Sequence, residues 1–155
     1  MTSPGATSNH RSDVAPETRL RPGLLVLFST LSLATLAAGG LLTSLGIGPW
    51  YRNLRIPWFQ PPAWAFTPAW TIIFILLAFA TWRVARHGMT AKAAIGAYAC
   101  QLVSNVLWSL FFFPMQRPDL ALVDIIILDV IVVAMIPLYG RIDRTCGWLL
   151  VPYAA

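Results

Sequence analysis

The sequence predicts an all-α integral membrane protein, a bundle of hydrophobic helices, and three observations carry the prediction. Of 155 residues, 57% are hydrophobic and 11% charged, against about a quarter charged in soluble domains. Four long apolar runs match the length that a bilayer core of about 30 Å requires of a helix rising about 1.5 Å per residue. The basic residues fall between these runs or at their edges rather than in a polar patch interleaved with aromatics. The net charge of +5 therefore reports topology and contact with membrane lipid, and no nucleic-acid partner is expected.

Residues 1–22 are rich in Ser, Thr, Pro and charge and read as a flexible cytoplasmic tail. The apolar run that follows is too long for the core of a signal peptide, so no cleaved leader is expected. That first run covers about 24–47 without a charge, and Gly40, Ser44 and Gly48 recur along it every four residues. This small-residue face is expected to pack inside the subunit, with a dimer contact as the alternative. The stretch from Pro49 to Pro62 holds Trp50, Tyr51, Arg52, Arg55, Trp58 and four prolines. Pro57, Pro61 and Pro62 forbid one regular helix through it, and its aromatics suit a membrane–water boundary, so an ordered interfacial loop is expected.

The second span covers about 63–84, with Pro68 in its early turns, and the third about 93–113. A fourth covers about 120–139 and stops at Gly140. A fifth apolar segment, 146–155, rises only about 15 Å as a helix, so a partial fifth helix is expected. With the N-terminus inside, the inner segments hold Arg11, Arg19, Arg21, Arg83, Arg86, Lys92, Arg141 and Arg144. The outer ones hold Arg52, Arg55 and Arg117. The positive-inside rule then predicts a cytoplasmic N-terminus and an external Trp-Pro loop; a multi-pass protein of a bacterial cytoplasmic membrane is expected.

Polar side chains within spans are costly and mark candidate sites. Gln101, Asn105 and Trp108 lie at i, i+4 and i+7 on the third span, with Tyr98 before and Phe112 after. This stripe either bonds the helices together or lines a pocket. Trp70, Phe74, Leu77 and Thr81 form a comparable stripe on the second span, read as core or as pocket wall. The surplus of indoles (seven Trp) favours a flat, amphipathic ligand. Asp124 and Asp129 are about 140° apart around the fourth span and form no carboxylate pair. Asp124 is expected to face Arg52, Arg55 or Arg117, and deeper Asp129 to be protonated or bonded to a neighbouring helix. Cys100 and Cys146 read as small apolar packing groups.

Other chemistries are excluded. His10 and His87 fall outside the spans, so no bis-His haem forms, and no mid-span lysine offers a Schiff base. The sequence also has no Cys/His metal cluster, phosphate-binding glycine loop or Ser/His/Asp set. No metal site and no obligatory cofactor are expected.

Trp50, Tyr51, Leu54, Pro57, Phe59, Pro61, Pro62, Trp64, Phe66, Pro68 and Trp70 stand at the spacings of the TspO/MBR family motif. A second block follows in Gln101, Leu102, Asn105, Trp108, Ser109, Phe112 and Phe113, and Pro152-Tyr153 also fits. Over nearly everything after the tail, the chain resembles this family of tryptophan-rich sensory and translocator proteins. The resemblance implies a five-helix bundle, often dimeric, whose first loop closes over a pocket for porphyrin-like tetrapyrroles or sterol-like molecules. Its ligand residues would be Trp50, Tyr51, Arg55, Trp64, Phe66, Trp70, Phe74, Gln101, Asn105, Trp108 and Asp124. Trp70 is the candidate for a light-driven porphyrin degradation reported for some members, and binding, degradation and transport all stay open. Ile56 stands where Lys is common and Thr67 where Gly is usual. The family continues beyond Pro-Tyr with a Trp, so a truncated fifth helix is expected, either because the sequence is cut short or because the member has an incomplete pocket wall.

Overall fold

A computed structural model describes residues 21–55, 58 and 61–154. The expected tail lies outside the described residues up to residue 20, as do Ile56, Pro57, Phe59, Gln60 and Ala155. The described elements are helical. They are α1 (Pro22–Gly46), α2 (Pro49–Arg52), α3 (Ala63–Ala85), a 3-10 turn (Gly88–Ala91), α4 (Lys92–Phe112), α5 (Pro118–Gly140), α6 (Arg144–Leu149) and α7 (Val151–Ala154). Four of them (α1, α3, α4 with its preceding turn, and α5) are long and apolar enough to cross a membrane. Lipid supplies no partner for a free N–H or C=O, so helices of this kind satisfy their backbone internally. Pro22, Pro49 and Pro118 open α1, α2 and α5, where a missing N–H costs nothing and the ring's φ suits the first turn.

The helices close a ring. α1 touches α3 and α4, α4 touches α5, α5 touches α6, and α6 returns to α3. Val26, Leu33, Ile72, Ile75, Val103, Val130 and Val133 face outward, as a lipid-facing surface requires. Inside, Phe74, Leu77, Tyr98, Met135, Tyr139, Cys146 and Leu150 are buried in one cluster.

Buried hydroxyls tie the ring together. The Tyr98 hydroxyl donates to the Phe28 carbonyl at 2.9 Å and accepts from Ser32 Oγ at 2.9 Å, joining α4 to α1. Thr81 Oγ1 donates to the Leu77 carbonyl at 2.7 Å and accepts from the Tyr139 hydroxyl at 2.8 Å, joining α3 to α5. Trp82 Nε1 donates to the Arg21 carbonyl at 3.1 Å, fastening the start of α1 to the end of α3.

Some expectations need correction. Gly40 and Ser44 face outward, and the small or hydroxyl residues buried on α1 are Ser32, Thr35 and Gly46. Gly46 lies against Phe113 so closely that a Cβ would overlap both that side chain and its backbone. Cys100 is exposed on the lipid-facing side, whereas Cys146 is buried as expected. The fifth apolar segment divides into α6 and α7 around Leu150, and the interfacial loop begins with the short helix α2.

Asp143 accepts a hydrogen bond from the Thr145 backbone at 3.0 Å, capping α6, and pairs with Arg83 at 2.5 Å. Desolvation raises its carboxyl pKa, but the Arg83 charge and the hydrogen bonds outweigh it and leave the pKa below the usual carboxylate value. A depressed folded-state pKa contributes stability above the unfolded value of about 3.9 and loses it as pH falls through the folded value. Asp143→Ala should cost about 1–2 kcal/mol near neutral pH, and Asp143→Asn, which keeps the cap, about 1 kcal/mol or less. Thermal unfolding in detergent should show both differences shrinking as pH falls below about 4.

Candidate ligand pocket at the aromatic end

The sequence-predicted residues assemble along one face of α4. One turn apart, Gln101 and Asn105 are buried, and Trp108 and Phe112 are half-buried above them. Trp108 stacks on Phe112 with centroids 5.4 Å apart and planes within 10°. Gly48 and Pro49 turn the chain so that α2 lies over this stack. Trp50 then meets Phe112 edge-on at 5.8 Å, and Tyr51 meets Phe113 at 5.7 Å. Phe113 also meets Trp108 at 6.0 Å and Phe112 at 5.0 Å, completing a five-ring cluster.

Deeper in the bundle lies a mixed group. On α3, Trp70 packs against Phe74 at 6.0 Å and edge-on against Tyr153 of α7, also at 6.0 Å. The Tyr153 hydroxyl donates to Gln101 Oε1 at 2.9 Å and accepts from Asn105 Nδ2 at 3.4 Å. Gln101 is fully buried, and its Nε2 has no hydrogen-bond partner among the described residues. This gives the candidate site a desolvated donor beside an indole and a phenol.

Other candidates lie apart. Trp64 is 76% exposed, and Phe66 and Arg55 are exposed as well. Asp124 does not meet an arginine: Ser104 Oγ donates to its Oδ1 at 3.1 Å. Arg117 is engaged locally, its Nε and Nη2 donating to the two Asp119 oxygens at 2.9 and 2.6 Å. Asp129, expected to be buried and protonated or bonded to a neighbouring helix, is exposed on α5. Tyr153 is the site residue that sequence reasoning passed over. Its sequence signal is a hydroxyl within the last apolar segment, in the Pro152-Tyr153 pair of the family motif.

The TspO/MBR family model matches residues 27–155. The chain belongs to the TspO/MBR family. Among its relatives is a tryptophan-rich sensory protein of Cereibacter sphaeroides, 37% identical over 79% of this chain and 80% of the relative. A tryptophan-rich protein TspO of Archaeoglobus fulgidus is also 37% identical, over 78% of this chain and 81% of its own length. The translocator protein of Sus scrofa is 30% identical over 76% of this chain and 74% of its own. Membership agrees with the four spanning helices, and this TspO/MBR chain is an integral membrane protein. Both family blocks converge on the site. The first supplies Trp50, Tyr51, Trp70 and, just beyond it, Phe74; the second supplies Gln101, Asn105, Trp108, Phe112 and Phe113.

Proposed function

We propose that the protein is a membrane-embedded binding or sensory protein for porphyrin-like tetrapyrroles or similar flat hydrophobic ligands, with the Trp-Pro loop as its lid. The N-terminus would lie on the cytoplasmic side and the aromatic end outside, following the distribution of Lys and Arg. One observation carries the reading: stacked aromatic rings continue downward into a buried amide donor that has no partner among the described residues. Indoles and phenyl rings would hold the macrocycle's faces. The Gln101 amide would meet a polar atom of its edge, and the exposed Arg52 and Arg55 would meet carboxylates at the interface.

Titrating protoporphyrin IX in the dark into the detergent-solubilised protein, with an inner-filter control, should quench tryptophan fluorescence saturably at micromolar ligand. Trp70→Phe should weaken the affinity up to about tenfold, the worth of one good aromatic contact. Arg55→Glu should weaken it too. Linear, non-saturable quenching would sink the proposal, and an unchanged affinity in Arg55→Glu would remove its charge component. Light-driven loss of porphyrin absorbance becomes a meaningful assay only after saturable binding.

A further inference from the structure

We propose that the groove where α6 and α7 lie on α5 seats the glycerol region and upper acyl chain of an anionic phospholipid, whose phosphate meets Arg144 at the arginine-rich end of the bundle. The groove has a volume of about 150 Å³ and is lined by Ile136 and Gly140 of α5, Arg144, Gly147 and Trp148 of α6, and Val151 of α7. Its depth comes from two glycines. A Cβ on Gly147 would come within 3.0 Å of the Gly140 Cα and of the Ile136 carbonyl oxygen, so α5 and α6 meet backbone to backbone here. With no side chain on either glycine, the floor stays low between Ile136 on one wall and Trp148 and Val151 on the other.

The polar groups stand at one end of this apolar slot, in the order a glycerophospholipid requires. Arg144 opens α6 and Trp148 follows at i+4, which places both on one face, about 6 Å apart along the axis. Val151 then continues the apolar lining. Arg144 is exposed and Trp148 is 70% exposed. Neither the Arg144 guanidinium nor Trp148 Nε1 has a hydrogen-bond or ion-pair partner among the described residues. The acid beside Arg144 in the chain, Asp143, is taken by Arg83, the cation whose charge acts on its carboxyl. Arg141, next to Gly140 of the floor, is exposed as well and adds positive charge to the corner. An uncompensated guanidinium at a membrane boundary attracts a phosphate. The indole one turn deeper keeps its N–H for a phosphate or ester oxygen, and the slot beyond offers apolar surface to methylenes. Inorganic phosphate would satisfy the arginine and leave the slot unfilled, and a zwitterionic lipid would bring its own cation to the corner. The combination selects an anionic headgroup bearing an acyl chain.

Native mass spectrometry of the full chain, released from micelles doped with phosphatidylglycerol or phosphatidylcholine of matched chains, tests this. The unmodified protein should retain phosphatidylglycerol preferentially. Arg144→Gln should lower that affinity about fivefold and leave phosphatidylcholine nearly unchanged. Lys92→Gln removes the same charge from an exposed position outside the groove and should change little. Gly140→Leu should fill the slot and lower retention of phosphatidylglycerol at least about fivefold with Arg144 present. A Cβ there comes no nearer to α6 than 4.0 Å, at the Gly147 Cα, so the backbone contact survives. Trp148→Ala removes a wall and the indole N–H at a position outside the buried core, and should cost about fivefold too. It reads the slot independently if Gly140→Leu folds poorly. Absence of a phosphatidylglycerol preference overturns the proposal. So does an equal loss in Lys92→Gln, which would mean surface charge alone, or retention unaffected by Trp148→Ala, which would mean a headgroup contact without a seated chain.

Discussion

Gly46→Val is expected to destabilise the protein by about 3 kcal/mol, at the upper end of ordinary overpacking. The residue closes α1 at the aromatic end, and a Cβ there would overlap the Cβ and backbone of Phe113. A flexible side-chain tip could swing aside, but backbone cannot. The displaced group matters beyond stability, because Phe113 is the ring on which Tyr51 and Trp108 pack. Protoporphyrin affinity should therefore fall together with the denaturation midpoint. Gly40→Ala on the same helix is the internal control. A Cβ there meets nothing within 4 Å, so the change should be neutral or stabilise by up to about 1 kcal/mol through helix propensity. If both variants unfold at the same denaturant concentration in detergent, the close approach of α1 to Phe113 is wrong.

Tyr153→Phe should cost about 2 kcal/mol, because it strands buried polar groups. The lost hydroxyl is the partner of Gln101 Oε1 and of Asn105 Nδ2, and Gln101 Nε2 has none among the described residues to begin with. A fully buried amide would be left without a hydrogen bond in an apolar interior. Removing both sides should cost less than the sum: Tyr153→Phe with Gln101→Leu should recover part of the loss in a double-mutant cycle. Additive costs would show that the two side chains do not act together. The single variant should also weaken porphyrin binding, since Tyr153 packs edge-on against Trp70.

Much of this architecture was legible before the structure. Helices spanning a bilayer need length and apolar composition, and the four long runs had both, with boundaries within about two residues of the observed ones. The stripe of Gln101, Asn105, Trp108 and Phe112 was legible too, because polar and aromatic residues at helical spacing stand out against an aliphatic background. Rotation of the helices was not. In a membrane bundle the outside is as apolar as the inside, so nothing in the pattern distinguished outward Gly40 and Ser44 from inward Ser32, Thr35 and Gly46. The same loss of contrast hid the position of Asp129. Asp124 was assigned to distant arginines because charge invites charge, while Ser104 was nearer and Arg117 had Asp119 two residues away. The part played by Tyr153 depends on where α7 docks, a tertiary fact with no local sequence counterpart.

The two ends of the bundle are fastened differently. At the arginine-rich end, Trp82 to Arg21, Arg83 to Asp143 and Tyr139 to Thr81 are directional bonds between separate elements. Past Ser104 and Asp124, toward the other end, the helices are joined chiefly by rings lying against rings. Such contacts slide and tilt at little cost, whereas a hydrogen bond weakens steeply once bent. A given displacement therefore costs less between the rings of the aromatic end than between the bonded elements of the arginine-rich end.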